Sequence, residues 1–471
     1  MNIDLSNCEK EPIHLVNAIQ DFGYFLRLRY FDLEVIGGSS NLISHGHFPS
    51  FESLFGDDLS FRDWLRDKES DQKFVRIHFQ REDFEVALTK KVVAEEEIHL
   101  EFEPFEETSQ PVDEYQIRSR IAREQNLENL GQCIVETIHQ VTGFDRIMLY
   151  KFDEEYNGHV VNEKIVENSP LTGYWGHRFP ASDIPAQARL MLEMKLTRLI
   201  LDVEGQKVAV RYRVGEAPLD MTYSEYRYPS EIHLEYLKNM KVRSTFTISL
   251  LYHGRLWGLI ACHHPIRLLV PPFMRNICER IAESASIKIR ELVDHQTEQN
   301  LRQLEVAVAT IKRGGSSGER LLDEICCRDI CSTFHADFYF YYKDGMLVDQ
   351  SEKEIKVPPI FHEWVQLQSS TGIFYSNSTY TYVTEEVLPD IAGVMVLPIR
   401  EDQKLILCRS VYPEVMKWAG NPDKAVAGLD ALGRISPRKS FETWVGDQNK
   451  LSASWEYHLI ETARILVLSA T

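Results

Sequence analysis

The chain has 471 residues, with 52 Lys and Arg against 71 Asp and Glu, a formal net charge of −19. That carboxylate excess speaks against broad contact with nucleic-acid phosphates or an anionic membrane, and no apolar run approaches the ~18 residues that span a bilayer. At 44% hydrophobic and 11% aromatic the chain has material for several cores, and at roughly 100–200 residues per domain two to four domains are expected.

The N-terminus, MNIDLSNCEK, has neither the cationic head nor the apolar stretch of a secretory signal, so a cytoplasmic location is expected. In the first segment, to about residue 111, FVRIHFQ (74–80), FEVALTK (84–90) and IHLEFEPF (98–105) alternate with period two. They read as adjacent antiparallel strands. The second segment, about 112–290, opens with a helical stretch over 121–144 and a strand, DRIMLYKF (145–152). SDIPAQARLMLEMK (182–195) has the grammar of a helix start, with Ser182 or Asp183 able to cap and Pro185 suited to the first turn. TFTISLLYHGRLWGLIACHH (245–264) predicts a hairpin turning at His253-Gly254. Strands and helices mixed around antiparallel sheets imply an α+β class. A long helix is predicted over about 273–312, ending at the glycine- and serine-rich 314–318. Such a helix bridges domains or pairs with a partner helix, which points to a homodimer. The third segment, about 319–455, repeats the texture of the second with a helix at 319–334 and strands at 336–345 and 393–399; a last helix follows over 455–470.

Eight cysteines, at 8, 133, 262, 278, 326, 327, 331 and 408, are ordinary for a reducing compartment. Cys326, Cys327 and Cys331 cluster without a second pair at zinc-finger spacing, and no metal site is expected.

Three stretches carry chemistry. Arg178 to Arg189 sets Asp183 ahead of a proline-started helix, with Phe179 and Tyr174 nearby; it reads either as a cap with surface charges or as a site. Arg227, Ser230 and His233 recur every three residues and would share one face of a helix, offering a cation, a hydroxyl and an imidazole to a ligand with a carboxylate and polar ring atoms. A solvated helix face fits equally well. In Cys262-His263-His264 adjacent histidines on a strand point to opposite faces, so one can face a pocket.

Together these stretches resemble the phytochrome family. PASDIPAQAR (180–189), HLEYLKNM (233–240), LWGLIACHH (256–264) and DRIMLYKFDE (145–154) are similar to its chromophore-binding GAF domain. Asn7 to His14, LEVIGGSSNL (33–42), WAGNP (418–422) and SPRKSF (436–441) resemble the attachment segment, the PAS domain and the PHY-domain tongue of a bacteriophytochrome. The resemblance covers nearly the whole chain. It implies three sensor-type domains with central antiparallel sheets joined by a helical spine: 1–111 (N-terminal segment and PAS), 112–290 (GAF), 291–318 (connecting helix), 319–455 (PHY, tongue about 415–450) and 456–471 (signalling helix). It also implies a figure-of-eight knot in which the N-terminal segment passes through a GAF insertion within 203–226.

Family members hold a linear tetrapyrrole by a thioether. Ile232 precedes His233 where reduced-bilin members have a cysteine, and Cys8 stands where biliverdin-binding members have theirs. The resemblance thus implies biliverdin IXα on Cys8. It assigns Arg198 and Arg227 to one propionate, and Ser230, Thr245 and Thr247 to the other. His233 falls near the inner pyrrole nitrogens and the Asp183 carbonyl on their protons, with Ile184 and Pro185 beside it. His263 goes on the ring D carbonyl, Tyr150, Tyr174, Phe179 and Tyr236 form the ring D cage, and Met240 packs nearby. Arg438 and Ser440 are implied tongue contacts of Asp183.

The chain departs from the family at Leu15-Val16-Asn17, Asp21-Phe22-Gly23, Leu192 and Trp418-Ala419-Gly420, departures that bear on propionate anchoring and reversion rate. The implied function is red/far-red photoreception without enzyme activity in this chain, signalling to a C-terminal output domain or response regulator. The competing readings are a light-independent PAS/GAF-type sensor of haem or another small molecule, and an enzyme acting on a bilin.

Overall fold

The computed structural model describes residues 11–43, 48–56, 59–67, 72–79, 82–93, 96–104, 112–153, 155–212, 219–313, 321–351, 357–368, 372–378, 391–411, 417–421, 426–429, 435–437, 441–445 and 451–469. Two compact units emerge, one from 1–151, 159–287 and 419–442, the other from 152–158, 288–418 and 443–471.

The first unit begins with β1 (Ala18–Gln20), β2 (Tyr24–Arg29) and β3 (Val35–Ser39), then helices α1 (Phe51–Phe55) and α2 (Leu59–Arg66). The three period-two runs form β4 (Gln72–Phe79), β5 (Glu82–Val93) and β6 (Glu97–Pro104), each antiparallel to the next, and β6 continues onto β2. Alternation sends Leu26, Leu28, Leu88, Leu100 and Phe102 into one core, which Phe51, Phe61 and Trp64 of the two helices close.

The helical stretch expected over 121–144 is two helices, α3 (Glu114–Arg123) and α4 (Leu127–Thr142). The break falls where Asn126 leaves the helix and its side chain accepts from the Asn129 N–H, an N-cap that competes with helix continuation. Gly143 ends α4 at φ +69°, a left-handed position that glycine adopts without strain. Next come β7 (Arg146–Phe152), β8 (Gly158–Ile165), β9 (His177–Phe179), α5 (Ala186–Met194), β10 (Thr197–Ile200), β11 (Lys207–Tyr212) and α6 (Glu231–Asn239). The predicted hairpin is β12 (Ser244–Tyr252) and β13 (Arg255–His264), turning at His253 and Gly254, both with positive φ.

Six of these strands form an antiparallel-cored sheet in the order β10-β12-β13-β7-β8-β9. Strand β11 instead joins the first sheet, between β1 and β3, pairing Ala209 with Ala18 and Val210 with Ser39. Further backbone bonds run from Gln20 N–H to the Tyr226 carbonyl and from Met221 N–H to the His14 carbonyl, so the N-terminal segment lies against 207–209 and 221–228.

The helix expected over 273–312 is divided into α7 (Pro272–Gln303) and α8 (Glu305–Arg313). At the break, Leu304 turns into the core of the second unit together with Ala307 and Ile311. That unit continues with α9 (Glu324–Thr333), β14 (Phe338–Lys343), β15 (Met346–Gln350), α10 (Pro359–Leu367), β16 (Phe374–Ser376), β17 (Ile391–Arg400) and β18 (Gln403–Ser410). Its sheet runs β15-β14-β18-β17-β16. Short strands β19 (Lys417–Ala419), β20 (Val426–Leu429), β21 (Ile435–Pro437) and β22 (Thr443–Val445) precede α11 (Tyr457–Leu468); β20 pairs with β21. No helix among the described residues is long and apolar enough to cross a membrane.

Candidate functional site

A cleft of about 240 Å³ opens in the first unit, walled by the 182–185 turn, α5, the 227–230 segment, α6, β10 and β12. It brings together ten of the expected site residues: Asp183, Ile184, Pro185, Arg198, Arg227, Ser230, His233, Tyr236, Thr245 and Thr247.

Local geometry differs from the expectation in two places. Arg227, Ser230 and His233 do not share a helix face, because α6 begins at Glu231 with Ser230 at its N-cap position. Pro229 explains this, since the residue before a proline is pushed out of the helical region; Arg227 lies in a bridge to Ile19 instead. Likewise neither Ser182 nor Asp183 caps α5, whose N-cap position is Pro185 without a side-chain bond. The Asp183 carboxylate accepts from the Tyr236 hydroxyl at 2.8 Å.

Electrostatics set the cleft apart. Arg198 donates to the carbonyls of Ser224, Glu225 and Arg227, and Arg227 donates to those of Met221 and Thr222. Neither guanidinium has a carboxylate in ion-pair distance among the described residues. Burial lowers Arg198 to about 10. Burial, followed by the charge of Arg198, lowers Arg227 to about 9. Two desolvated cations side by side, holding only neutral carbonyls, are complementary to an anion with two or more oxygens. His233 opens onto the cleft, yet the protein around it, and then Arg198, lowers its pKa to about 4, so it is neutral at pH 7. Thr247 lies across from Arg198 between β12 and β10, and Thr245 across from His263 between β12 and β13. The Ser230 hydroxyl donates to Glu11 at 2.8 Å. Burial raises the Glu11 pKa.

The back of the 224–227 segment is held by buried acids of β6. Glu101 accepts from the Ser224 hydroxyl and from the N–H groups of Glu225 and Tyr226. Glu103 accepts from Tyr226 and pairs with Arg275 at 2.9 Å, while Lys195 pairs with Glu225 at 2.7 Å. Glu103 and Glu225 thus have cationic partners, whereas among the described residues Arg198 and Arg227 have no carboxylate in ion-pair distance.

Tyr150, Tyr174 and Phe179 form one aromatic cluster, with centroids 5.7 Å apart for Tyr150–Phe179 and 5.4 Å for Tyr174–Phe179. Tyr236 makes its ring contacts elsewhere, with His233 and, edge-on at 4.9 Å, with Phe441. Met240 is buried at the end of α6. His263 is buried on β13, and its Nδ1 takes a 2.6 Å bond from Arg146. Cys8, Arg438 and Ser440 lie outside the described residues.

Sequence reasoning passed over Arg146, Glu11, Lys195 and the carboxylates of β6. A charged residue heading an otherwise apolar strand was the available signal for Arg146: with period two it shares a face with Met148 and Tyr150. Glu101 and Glu103 alternate with apolar residues as any half-exposed strand would, so nothing in the pattern marks them as buried. Among the described residues no group of three or more His, Cys, Asp or Glu side chains is arranged to hold a metal ion.

Two family profiles match the chain: "GAF domain" over residues 126–289 and "Phytochrome region" over 346–469. Cyanobacterial phytochrome B of Nostoc sp. is 29% identical over 98% of this chain, which spans only 65% of that relative's length. Among solved structures, the photosensory core module of Stigmatella aurantiaca phytochrome aligns with 100% of this chain and 98% of its own, at 26% identity and TM-score 0.77. The chromophore-binding domain of Stigmatella aurantiaca bacteriophytochrome is 33% identical over 60% of this chain and 99% of its own, at TM-score 0.54.

Proposed function

The chain belongs to the phytochrome family, as a photosensory module of it, and from that premise we propose that it is a red/far-red photoreceptor that carries biliverdin on Cys8. The observation that carries the reading is the pair of buried guanidiniums, Arg198 and Arg227, without a carboxylate in ion-pair distance among the described residues, in a cleft whose other walls are apolar groups and hydroxyls together with Glu11, Asp183, Gln187, Lys195 and His233. A flat, mostly apolar molecule with two propionates meets those needs. Ile232 leaves no nucleophile beside His233, which favours attachment at Cys8.

When bound, biliverdin supplies the light absorption and the rotation about the bond between rings C and D. The protein does the rest. Arg198 and Arg227 clamp a propionate, and Thr245 and Thr247 present hydroxyls to the other. Ser230 joins them when Glu11 releases it. His233, neutral at pH 7, accepts or relays a proton at the pyrrole nitrogens, and the Asp183 carbonyl accepts hydrogen bonds from their N–H groups. Tyr150, Tyr174 and Phe179 bound the space for ring D, and His263 donates to its carbonyl. The Asp183 carboxylate, held by Tyr236, is the link to Arg438 and Ser440 of the tongue, whose refolding passes strain to the helices. The N-terminal knot, the domain boundaries given above, a homodimer through the helical spine and a cytoplasmic setting with a kinase or cyclase output complete the reading.

The test is reconstitution of the protein with biliverdin, followed by alternating red and far-red illumination. The expected result is a reversible difference spectrum, with zinc-fluorescent pigment retained after denaturation and lost in Cys8→Ser. A protein that stays colourless, or is coloured but not photoreversible, overturns the reading; covalent pigment in Cys8→Ser overturns the attachment.

A further inference from the structure

His263 and His264 are neighbours on β13 with opposite surroundings. His264 faces a carboxylate, Asp145, at 3.2 Å. His263 faces a cation. Strand register sets Arg146 of β7 directly across from His263, and the Arg146 Nη2 lies 2.6 Å from the His263 Nδ1. Arg146 is fully buried; its other terminal nitrogen donates to the Thr172 carbonyl and its guanidinium lies 5.0 Å over the Tyr174 ring.

A guanidinium has five N–H donors, no acceptor, and does not lose its proton in proteins. A 2.6 Å contact with it is therefore a hydrogen bond only if the His263 Nδ1 is bare. The imidazole proton then resides on Nε2, which has no partner among the described residues. We propose that Arg146 is a positioning residue that locks His263 in the neutral Nε2–H tautomer, so that this histidine acts toward a bilin carbonyl as an obligate donor. The inference rests on the photoreceptor reading for the identity of the acceptor, but not for the tautomer.

The groups around the pair do not undo this. Glu163 of β8 is an acid that acts on Arg146, and its carboxylate accepts from the N–H groups of Tyr174 and Trp175. Tyr174 and Tyr236 are the other groups that act on Arg146. His233 of α6 is the other titratable group acting on His263; it is neutral at pH 7, and any proton it gained would oppose a second one on His263. On the third strand of the row, β12, the residue across from His263 is Thr245, which does not titrate in this range. Burial, then Arg146, then His233 push the His263 pKa well below its ordinary value.

The experiment is nitrogen NMR of the pigment-free chain labelled at histidine, with the His263 signals identified by their loss in His263→Gln. Wild-type protein is expected to show a bare Nδ1 and a protonated Nε2, unchanged from about pH 8 to about pH 5. In Arg146→Gln, whose amide oxygen can accept, the proton is expected to move to Nδ1 or to exchange, with a midpoint higher than in the wild type but still lowered by burial. Arg146→Lys, which keeps a charged donor, is expected to restore the wild-type pattern. Biliverdin-loaded Arg146→Gln is expected to gain a pH-dependent dark absorption band that the loaded wild type lacks. A wild-type His263 that carries its proton on Nδ1, or that titrates within this range, overturns the proposal even where Arg146→Gln does not fold. An unchanged tautomer in a folded Arg146→Gln overturns it as well. Failure to take up biliverdin would refute the photoreceptor reading while leaving the tautomer measurement valid.

Discussion

The sheet of the first unit that carries β7, β12 and β13 and the sheet of the second unit that carries β14, β17 and β18 are built alike, yet they treat their faces differently. In the second unit alternation feeds two apolar clusters: Tyr339, Tyr341, Met395, Leu397, Leu405 and Leu407 on one side, and Phe340, Tyr342, Val394, Val396, Ile406 and Cys408 on the other. Both faces are closed. In the first unit Arg146, Arg198, Thr245, Thr247 and His263 stand on strands of the same kind, and part of one face opens into the cleft. Similar backbones thus make a sealed core in one case and a face that opens into a cleft in the other. Two buried cations, Arg198 and Arg227, without a carboxylate in ion-pair distance among the described residues mark the open face.

The largest effect that tests this contrast is expected in the closed sheet. Leu405→Ala removes a fully buried side chain and should cost about 2–5 kcal/mol of that unit's stability, read by denaturant unfolding. Biliverdin uptake should not change. Loss of uptake at full folding would mean that the closed sheet serves the site after all.

A somewhat smaller effect is expected from the clamp. In a Cys8→Ser background, Arg227→Ala should weaken biliverdin binding by about 1.5–3 kcal/mol, roughly 10- to 150-fold, the worth of charge-assisted hydrogen bonds. The pigment-free protein should be no less stable, because the substitution removes a desolvated cation whose pKa burial has already lowered to about 9. The contrasting control is Arg275→Met. It strands Glu103, whose side chain is 1% exposed, and should destabilise the pigment-free protein outright, by about 3–5 kcal/mol. Equal losses of apo stability from both substitutions would erase the distinction between matched and unmatched charges.

How much of this was legible beforehand follows from what each feature depends on. Period-two runs gave β4, β5 and β6, and the His253-Gly254 turn gave the β12–β13 hairpin, because both signals are local. The α3–α4 and α7–α8 breaks were missed. Asn126 is a cap only by virtue of its backbone angles, and Leu304, at the α7–α8 break, is buried in a core made by distant residues. In the site, His263 and Arg198 could be named from motif likeness. The Arg146–His263 pair could not, since it depends on the register of strands separated by more than one hundred residues. The Ser230–Glu11 bond could not be named either, because it is a long-range contact that spacing does not reveal.

The histidines of the open face predict an acid sensitivity that the closed sheet should not share. Unfolded imidazoles take up protons near pH 6.5, whereas folded His233 stays neutral until about 4 and His263 is lowered as well. Between those values the unfolded chain binds more protons, so stability is intact above about pH 6.5 and falls as pH drops toward 4. Melting temperatures of the pigment-free protein from about pH 7.5 to about pH 5 should show the decline, and His233→Gln should flatten it. A profile identical in His233→Gln would remove His233 from the explanation.

The smallest expected effect lies at the rim of the cleft, where Tyr236 joins two features that the closed sheet lacks. Its hydroxyl holds the Asp183 carboxylate at 2.8 Å, and its ring meets Phe441 edge-on at 4.9 Å. Tyr236→Phe keeps the ring contact and deletes one partly exposed hydrogen bond, worth about 0.5–1.5 kcal/mol. Pigment attachment and the dark spectrum should survive. If the bond helps hold Asp183 for the tongue in only one of the two light states, its loss should change the rate of dark reversion by about 2- to 10-fold, the kinetic equivalent of that energy. Tyr236→Ala, which deletes the ring contact too, should shift the rate further in the same direction. Reversion at the wild-type rate in both variants would show that the open face ends at the cleft wall and that Asp183 reaches the tongue, if at all, without Tyr236.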